Sequence, residues 1–199
     1  GGTHIGTFSD RLRDAVRGGG PFDDDPRKQG FGSGEFTDPN GAPINSGAQA
    51  GLKHDTDLVQ LGLAGNLKAF SFRLNSSGAV ARGDQVDYNG SPAGYATQPD
   101  EVITYVDAHD NETLFDSLTF KLPVATTMSD RIRMNTLSLA TTALAQTPSF
   151  WPTCCAASRS IATRMTVATG STGSTGPAPT TASVTACRSR ATTARSGRT

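Results

Sequence analysis

The chain has 199 residues, with 18 basic and 18 acidic side chains, and so carries no formal net charge at pH 7. This balance argues against nucleic acid as a partner, because proteins that bind its phosphates usually carry a basic surplus. No apolar run approaches the roughly eighteen residues of a membrane-spanning helix, so no membrane partner is expected either.

The first predicted element is a helix in "FSDRLRDAVRGGG". Ser9 is a candidate N-cap, three glycines end the run, and the apolar positions follow helical spacing at Leu12, Ala15 and Val16. Residues 18–50 are crowded with Gly, Pro, Asp and Asn, and they are predicted to form a long loop.

Two motifs inside this loop have tempting functional readings. "GFGSG" at residues 30–34 looks like a phosphate-binding glycine loop, but it follows no predicted strand and opens no helix, so a flexible loop is predicted. The run of three aspartates at residues 23–25 lacks the spaced oxygen ligands of a calcium loop, which favours a solvated turn.

A second helix is predicted in "DTDLVQLGLAGNLKAFSF", with its cap near Asp55. Its apolar face would comprise Leu58, Leu61, Leu63, Leu67 and Phe70. Residues 75–100 are polar and glycine-rich, and they are expected to form an excursion with few apolar anchors.

The next elements alternate between strand and helix. "EVITYVDAHD" is rich in β-branched residues and predicts a strand, and "ETLFDSLTFKLP" predicts a short helix that Pro123 closes. "SDRIRMNTLSLATTALAQT" predicts a longer helix capped by Ser129, and "PSFW" could begin another strand. This order favours parallel βα units. The chain of 199 residues is shorter than a complete barrel of eight such units, which typically needs about 250 residues.

A cluster of polar groups, His109, Asp110, Asn111 and Glu112, follows the apolar strand "VITYV" without a turn signal. In βα barrels, polar catalytic groups lie at the C-terminal ends of otherwise buried strands, where they face a cleft. The cluster could equally be a capped strand end with a satisfied His–Asp hydrogen bond.

The stretch "YVDAHDNETLFD" resembles the fourth signature region of glycoside hydrolase family 13, the α-amylase clan. Together with "IGTFSDRLRDAVRGG" and "GFGSG", it resembles the bacterial pullulanase type, which cleaves α-1,6 linkages in pullulan, starch and glycogen-like glucans. The resemblance covers about residues 1–150. It implies an α/β fold, the C-terminal part of a (β/α)₈ barrel around its sixth and seventh strands.

The resemblance assigns roles by position. Asp110 matches the carboxylate that stabilises the oxocarbenium-like transition state by gripping sugar hydroxyls, and His109 matches a histidine that binds the same sugar. Asn111 and Glu112 match substrate-binding groups that line the wall of the cleft or support the residues that line it. Glycosidases of this type use a retaining mechanism with a nucleophilic Asp and an acid/base Glu. Neither of their sequence contexts occurs in this chain, so it is expected to be inactive alone.

The expected partner is an α-glucan, and no cofactor is expected, although the resemblance allows a Ca²⁺ ion in intact family members. Relatives of this kind are often secreted bacterial enzymes, but these residues carry no signal for localisation. The alternative function is a non-catalytic glucan-binding remnant or a non-functional truncated product.

The composition changes abruptly after residue 150. Residues 1–150 hold all 18 acidic side chains, whereas residues 151–199 have six arginines, all three cysteines and no Asp, Glu, Lys or Leu. Such a segment cannot bury enough apolar surface to offset its ordering entropy, which predicts a disordered or irregular low-complexity tail. One allowed set of codons from Pro152 onward encodes a family-like sequence in a shifted frame. A frameshifted tail is therefore predicted.

Overall fold

The computed structural model describes residues 5–108 and 110–150, and this part of the chain contains four α-helices and six short strands. The elements follow in the order β1 (Thr7–Phe8), α1 (Asp10–Arg17), α2 (Ala48–Leu63), β2 (Ser71–Arg73), β3 (Val80–Arg82), β4 (Asp87–Tyr88), β5 (Ser91–Pro92), β6 (Val102–Ile103), α3 (Leu114–Lys121) and α4 (Met128–Ala143). No helix in the described ranges is long and apolar enough to cross a membrane.

Three extended segments lie side by side in parallel. β1 pairs with β6 in the register Thr7↔Val102, and an isolated parallel bridge joins Thr104 to Ser149. Helices separate consecutive segments along the chain, as parallel pairing requires. The parallel arrangement predicted for "VITYV" and "PSFW" is therefore confirmed by the bridge from Thr104 to Ser149, whereas β1 was not predicted from the sequence.

Helix α1 agrees with the sequence. It ends before Gly18, whose φ of 90° is a left-handed conformation that glycine adopts without steric cost. Leu12, Ala15 and Val16 are buried in the core. Ser9 occupies the N-cap position but does not cap with its side chain, and instead its hydroxyl donates 3.1 Å to Oδ1 of buried Asn66.

Helix α2 differs from the prediction at both ends. It starts at Ala48 rather than near Asp55, because Ala and Leu in "AQAGL" favour helix without a side-chain cap. It stops at Leu63, since Gly65 and Asn66 adopt positive φ angles of 83° and 48°. Leu67 and Phe70, predicted on its face, therefore lie beyond it.

The excursion after α2 is better anchored than predicted. It contains β3 and the antiparallel pair β4–β5, and it contributes Val86 and Ala93 to the buried core. Its strand β3 pairs antiparallel with β2, whose buried Phe72 lies in the stretch that was predicted to be helical. These join residues of both preceding helices in one apolar cluster that also contains Leu12, Leu58, Leu61, Val106 and Leu114. Ala93 is small and Val86 stands between two polar residues, so neither belongs to a periodic apolar pattern in the sequence.

Helices α3 and α4 both occur, and α3 ends before Pro123 as predicted. The N-cap of α4 is Thr127 rather than Ser129: its hydroxyl accepts the Asp130 N–H at 3.2 Å. The buried face of α4 is polar and comprises Asn135, Ser138, Thr141 and Thr142. Of the apolar residues in the stretch predicted as this helix, Leu137 and Leu144 are exposed, whereas Leu139 is partly buried and packs against the core.

The "GFGSG" segment is a packed turn, which corrects the prediction of a flexible loop. Phe31–Ser33 form a 3₁₀ turn, and a Cβ at Gly30 would lie 2.5 Å from the carbonyl oxygen of Ala15. The glycine thus permits close approach of the loop to α1. The three aspartates at residues 23–25 lie in an exposed or half-exposed turn, as predicted.

The predictions for the tail, the frameshift and the three cysteines concern residues 151–199, which lie outside the described residues.

Candidate functional site

The polar cluster begins where the burial of the central strand ends. Val106, Asp107 and Ala108 are buried, whereas Asp110 is exposed. The observed strand β6 (Val102–Ile103) is shorter than the predicted strand "VITYV", and the buried residues after it lead to an accessible carboxylate. His109 lies outside the described residues, so its predicted contacts stay predictions.

The next two predicted site residues have different environments. The side chain of Glu112 is exposed, and it lines a small cavity of about 90 Å³ together with Arg17 and Lys121. The side-chain oxygen of Asn111 is buried and accepts no hydrogen bond from the described residues. A buried acceptor of this kind usually has a function or a water partner.

The segment 107–114, which carries these residues, is closed at its base. The Asp107 carboxylate accepts a 2.8 Å hydrogen bond from the N–H of Leu114, the first residue of α3. Arg17 of α1 donates to the carbonyl oxygen of Val106 at 3.4 Å and to that of Glu112 at 3.0 Å. Both ends of the segment are thus held by charged side chains beneath it.

Burial shapes the electrostatics under the segment. It lowers the pKa of the Arg17 guanidinium from its ordinary value, and the nearby Asp107 carboxylate opposes this. Burial raises the pKa of Asp107, which the Leu114 N–H and Arg17 oppose. Burial also lowers the pKa of Lys121 to about 8, and its ammonium donates to the carbonyls of Gly18 (2.8 Å) and Lys28 (2.6 Å).

An aromatic surface lies on the parallel strands beside the segment. The ring of Phe8 meets those of Tyr105 and Phe150 edge-on, with centroid distances of 5.2 and 5.5 Å. Phe8 is nevertheless 56% exposed. An exposed aromatic cluster of this kind marks an interface or a ligand surface more often than an ordinary monomer face.

A second polar region is separate from the predicted site. A cavity of about 360 Å³ is lined by Asp14, Asp23, His54, Asp55 and Tyr88, among others, and not by Asp110. Burial raises the pKa of Asp55 to about 8 and that of Glu35, its carboxyl neighbour, to about 7. No group of three or more potential metal ligands occurs among residues 5–108 and 110–150.

Sequence reasoning missed three of these groups. The clearest is Arg17, which looks like an ordinary last-turn cation of a surface helix. Asp107 stands two residues before His109 and resembles any strand-end carboxylate, while Lys121 stands at the end of a short helix. Their roles depend on contacts between distant segments, which leave no local pattern.

No family model matches the chain. Individual relatives match strongly: the chain is 51% identical to pullulanase of Klebsiella aerogenes over 148 residues, which are 73% of this chain and 13% of that protein. It is 42% identical to pullulanase 1, chloroplastic, of Arabidopsis thaliana over 149 residues, or 73% of this chain and 15% of that protein.

Solved structures of pullulanases are also similar to this chain. A maltotriose complex of PulA from Klebsiella pneumoniae matches with a TM-score of 0.71 and 49% identity over 75% of this chain and 16% of that chain. The mixed helix and strand content and this match show that the chain shares the fold of a segment of that structure. The chain is of the pullulanase type, and it matches a segment of about one-seventh of its curated relatives.

Proposed function

We propose that the chain carries one wall of a site that hydrolyses α-1,6 linkages in pullulan, starch or glycogen-type glucans. The single observation that carries the proposal is the exposed Asp110, which follows β6 and the buried residues 106–108, in a chain that is 51% identical to a pullulanase over 148 residues. In the intact protein the mechanism is retaining and uses two further carboxylates.

Asp110 stabilises the transition state in this proposal. A carboxylate accepts two hydroxyl hydrogen bonds, and its charge favours the positive charge that develops on the sugar ring. Strengthening of such bonds in the transition state supplies several kcal/mol in glycosidases. His109 binds the same sugar, and Asn111 and Glu112 complete the wall.

The chain is one part of a (β/α)₈ barrel around its sixth and seventh strands. Support comes from three parallel extended segments with intervening helices, and from the exposed Phe8 ring on their aromatic face. Neighbouring strands of a closed barrel would cover such a face and the free strand edges.

Residues 151–199 form a separate region of frameshifted origin in this proposal. The relatives match 148 residues, close to the number of residues that precede Trp151, and this agreement in length supports a boundary there. Sequencing of the coding DNA tests this. An uninterrupted frame that encodes the tail as it stands, with no shift after residue 150, would overturn it.

The nucleophile and the acid/base lie outside this chain in the proposal, so the chain alone binds glucan without turnover. One observation favours this over a dead product: a solved relative is a maltotriose complex. The alternative, a non-functional truncated product, predicts no binding at all.

Two measurements test the proposal with the full chain. Titration calorimetry with maltotriose should show binding that Asp110→Asn weakens at least tenfold, whereas Asp24→Asn in the exposed turn leaves it unchanged. Reducing-end release from pullulan should stay at background. Loss of all binding in the unsubstituted chain would overturn the glucan site, and turnover that depends on Asp110 would overturn the claim of inactivity.

A further inference from the structure

The segment 107–114 is held from below by one side chain that comes from a distant part of the sequence. Arg17 is separated by 89 residues from Val106 and by 95 from Glu112, and its guanidinium donates to the carbonyl oxygens of both. These two acceptors lie on either side of Asp110. The guanidinium therefore fixes the spacing of the two ends of the segment.

The position of Arg17 is itself tightly fixed. Its side chain is only 6% exposed, and its carbonyl oxygen accepts a hydrogen bond from the Ser33 hydroxyl at 3.4 Å. The next carbonyl, of Gly18, accepts from the Lys121 ammonium. A side chain anchored in this way can transmit a defined position to the segment it contacts.

Burial of a guanidinium is expensive, and the hydrogen bonds here go to backbone carbonyls rather than to a paired carboxylate. An apolar side chain of similar length would fill the same space without that cost. The planar fork of arginine can, however, reach two acceptors at once, which a lysine ammonium cannot do with the same geometry. Burial of the Arg17 guanidinium thus lowers the stability of the fold, but it fixes the position of the segment 107–114.

We infer that Arg17 is a positioning residue, which holds the segment 107–114 so that Asp110 is presented to a glucan. This inference rests on the proposed function of Asp110. It adds that the orientation of Asp110 depends on α1, an element outside the strand and loop that carry the site.

Amide hydrogen exchange tests whether Arg17 holds the segment 107–114 in place. Arg17→Met keeps the length of the side chain and removes its donors, so exchange of the amides at 110–113 should accelerate at least tenfold. Exchange in the hairpin β2–β3 should stay unchanged, as should both regions in the control Arg27→Met, an arginine in the exposed turn. Arg17→Lys should restore part of the protection, and it serves as the test variant if Arg17→Met does not fold.

Maltotriose affinity tests whether glucan binding by Asp110 depends on Arg17. Arg17→Met should weaken binding about tenfold, Arg17→Lys less, and the effect of Arg17→Met should fall below threefold in the Asp110→Asn background. Such coupling indicates that the two residues act through each other. A general structural defect would weaken binding equally in both backgrounds.

The proposed function and the inference about Arg17 can be overturned independently of each other. If the unsubstituted chain binds no maltotriose, the proposed function is overturned, and the exchange data alone decide whether Arg17 holds the segment. If binding is present but Arg17→Met changes neither local exchange nor affinity, the inference is overturned while the proposed function stands. Acceleration that spreads equally to the hairpin also overturns it.

Discussion

The carboxylate of Asp107 and the backbone N–H of Leu114 are joined by a 2.8 Å hydrogen bond across the segment that carries Asp110. This bond fulfils two tasks at once. It satisfies the first N–H of α3, which has no partner within the helix, and it closes the segment at its base. The same residue pair thus links helix formation to the geometry of the candidate site.

Replacement of Asp107 tests this link. Asp107→Ala should lower the free energy of unfolding by about 1–3 kcal/mol, because it leaves a buried N–H without an acceptor. Asp107→Asn keeps one oxygen and should cost less. Urea unfolding followed by circular dichroism measures both, with Asp24→Ala as the exposed control. Equal stability of the alanine variant and the unsubstituted chain would contradict the assignment.

Asp57 of α2 anchors the turn of the β2–β3 hairpin. Its buried carboxylate accepts four hydrogen bonds, from the backbone and side chains of Asn75 and Ser76, at distances from 2.5 to 3.1 Å. Asp57→Ala should therefore destabilise the chain by about 2 kcal/mol. Asp84→Ala, which removes an exposed ion pair with Arg82, should cost less than about 0.5 kcal/mol. A reversed order of these two costs would disprove the anchor.

Gly62 marks the closest approach of α1 and α2. A Cβ at this position would lie 2.4 Å from Cδ1 and 2.8 Å from Cβ of the buried Leu12. Gly62→Ala should consequently destabilise by about 1–3 kcal/mol through overpacking, despite the better helix propensity of alanine. Gln60→Ala on the exposed face of α2 is the control. Thermal unfolding compares them, and a stabilised Gly62→Ala variant would contradict the contact.

The carboxyl pair Glu35–Asp55 should make stability depend on pH. The folded state raises the pKa of these groups to about 7 and about 8, so between roughly pH 4 and 8 it holds protons that the unfolded chain releases. The stability that these bound protons contribute to the folded state is fully present below about pH 4 and is lost as the pH rises towards about 8. Lys28, which opposes both shifts, and Asp14, which raises that of Asp55, are the other charges that face the pair.

Asp55→Asn removes the part of this dependence that belongs to Asp55 and leaves the part that belongs to Glu35. Relative to the unsubstituted chain, the variant should gain at least about 1 kcal/mol of stability between pH 5 and 7.5, because one pKa unit corresponds to about 1.4 kcal/mol. Urea unfolding at several pH values gives the difference, with Asp24→Asn in the exposed turn as the control substitution. A difference that shrinks as the pH rises would have the wrong sign.

The sequence predicted the local elements well where apolar periodicity and end signals coincide. For α1, the spacing of Leu12, Ala15 and Val16 together with the glycines after Arg17 was sufficient. It also located the exposed carboxylate of Asp110 just after the buried residues 106–108. Prediction failed for α2, where residues Leu67 and Phe70 continue a helical pattern that Gly65 and Asn66 interrupt.

By itself, the sequence determined the kinship of the chain, the existence of its four helices and the place of Asp110 after an apolar stretch, because short motifs and periodic patterns are local properties. Only the tertiary structure decided that Arg17 lies beneath the candidate site, that the buried face of α4 is polar, and that Asp57 anchors a hairpin. These features arise from contacts between segments far apart in the chain. Local propensity carries no information about which distant carbonyl or carboxylate a side chain will meet.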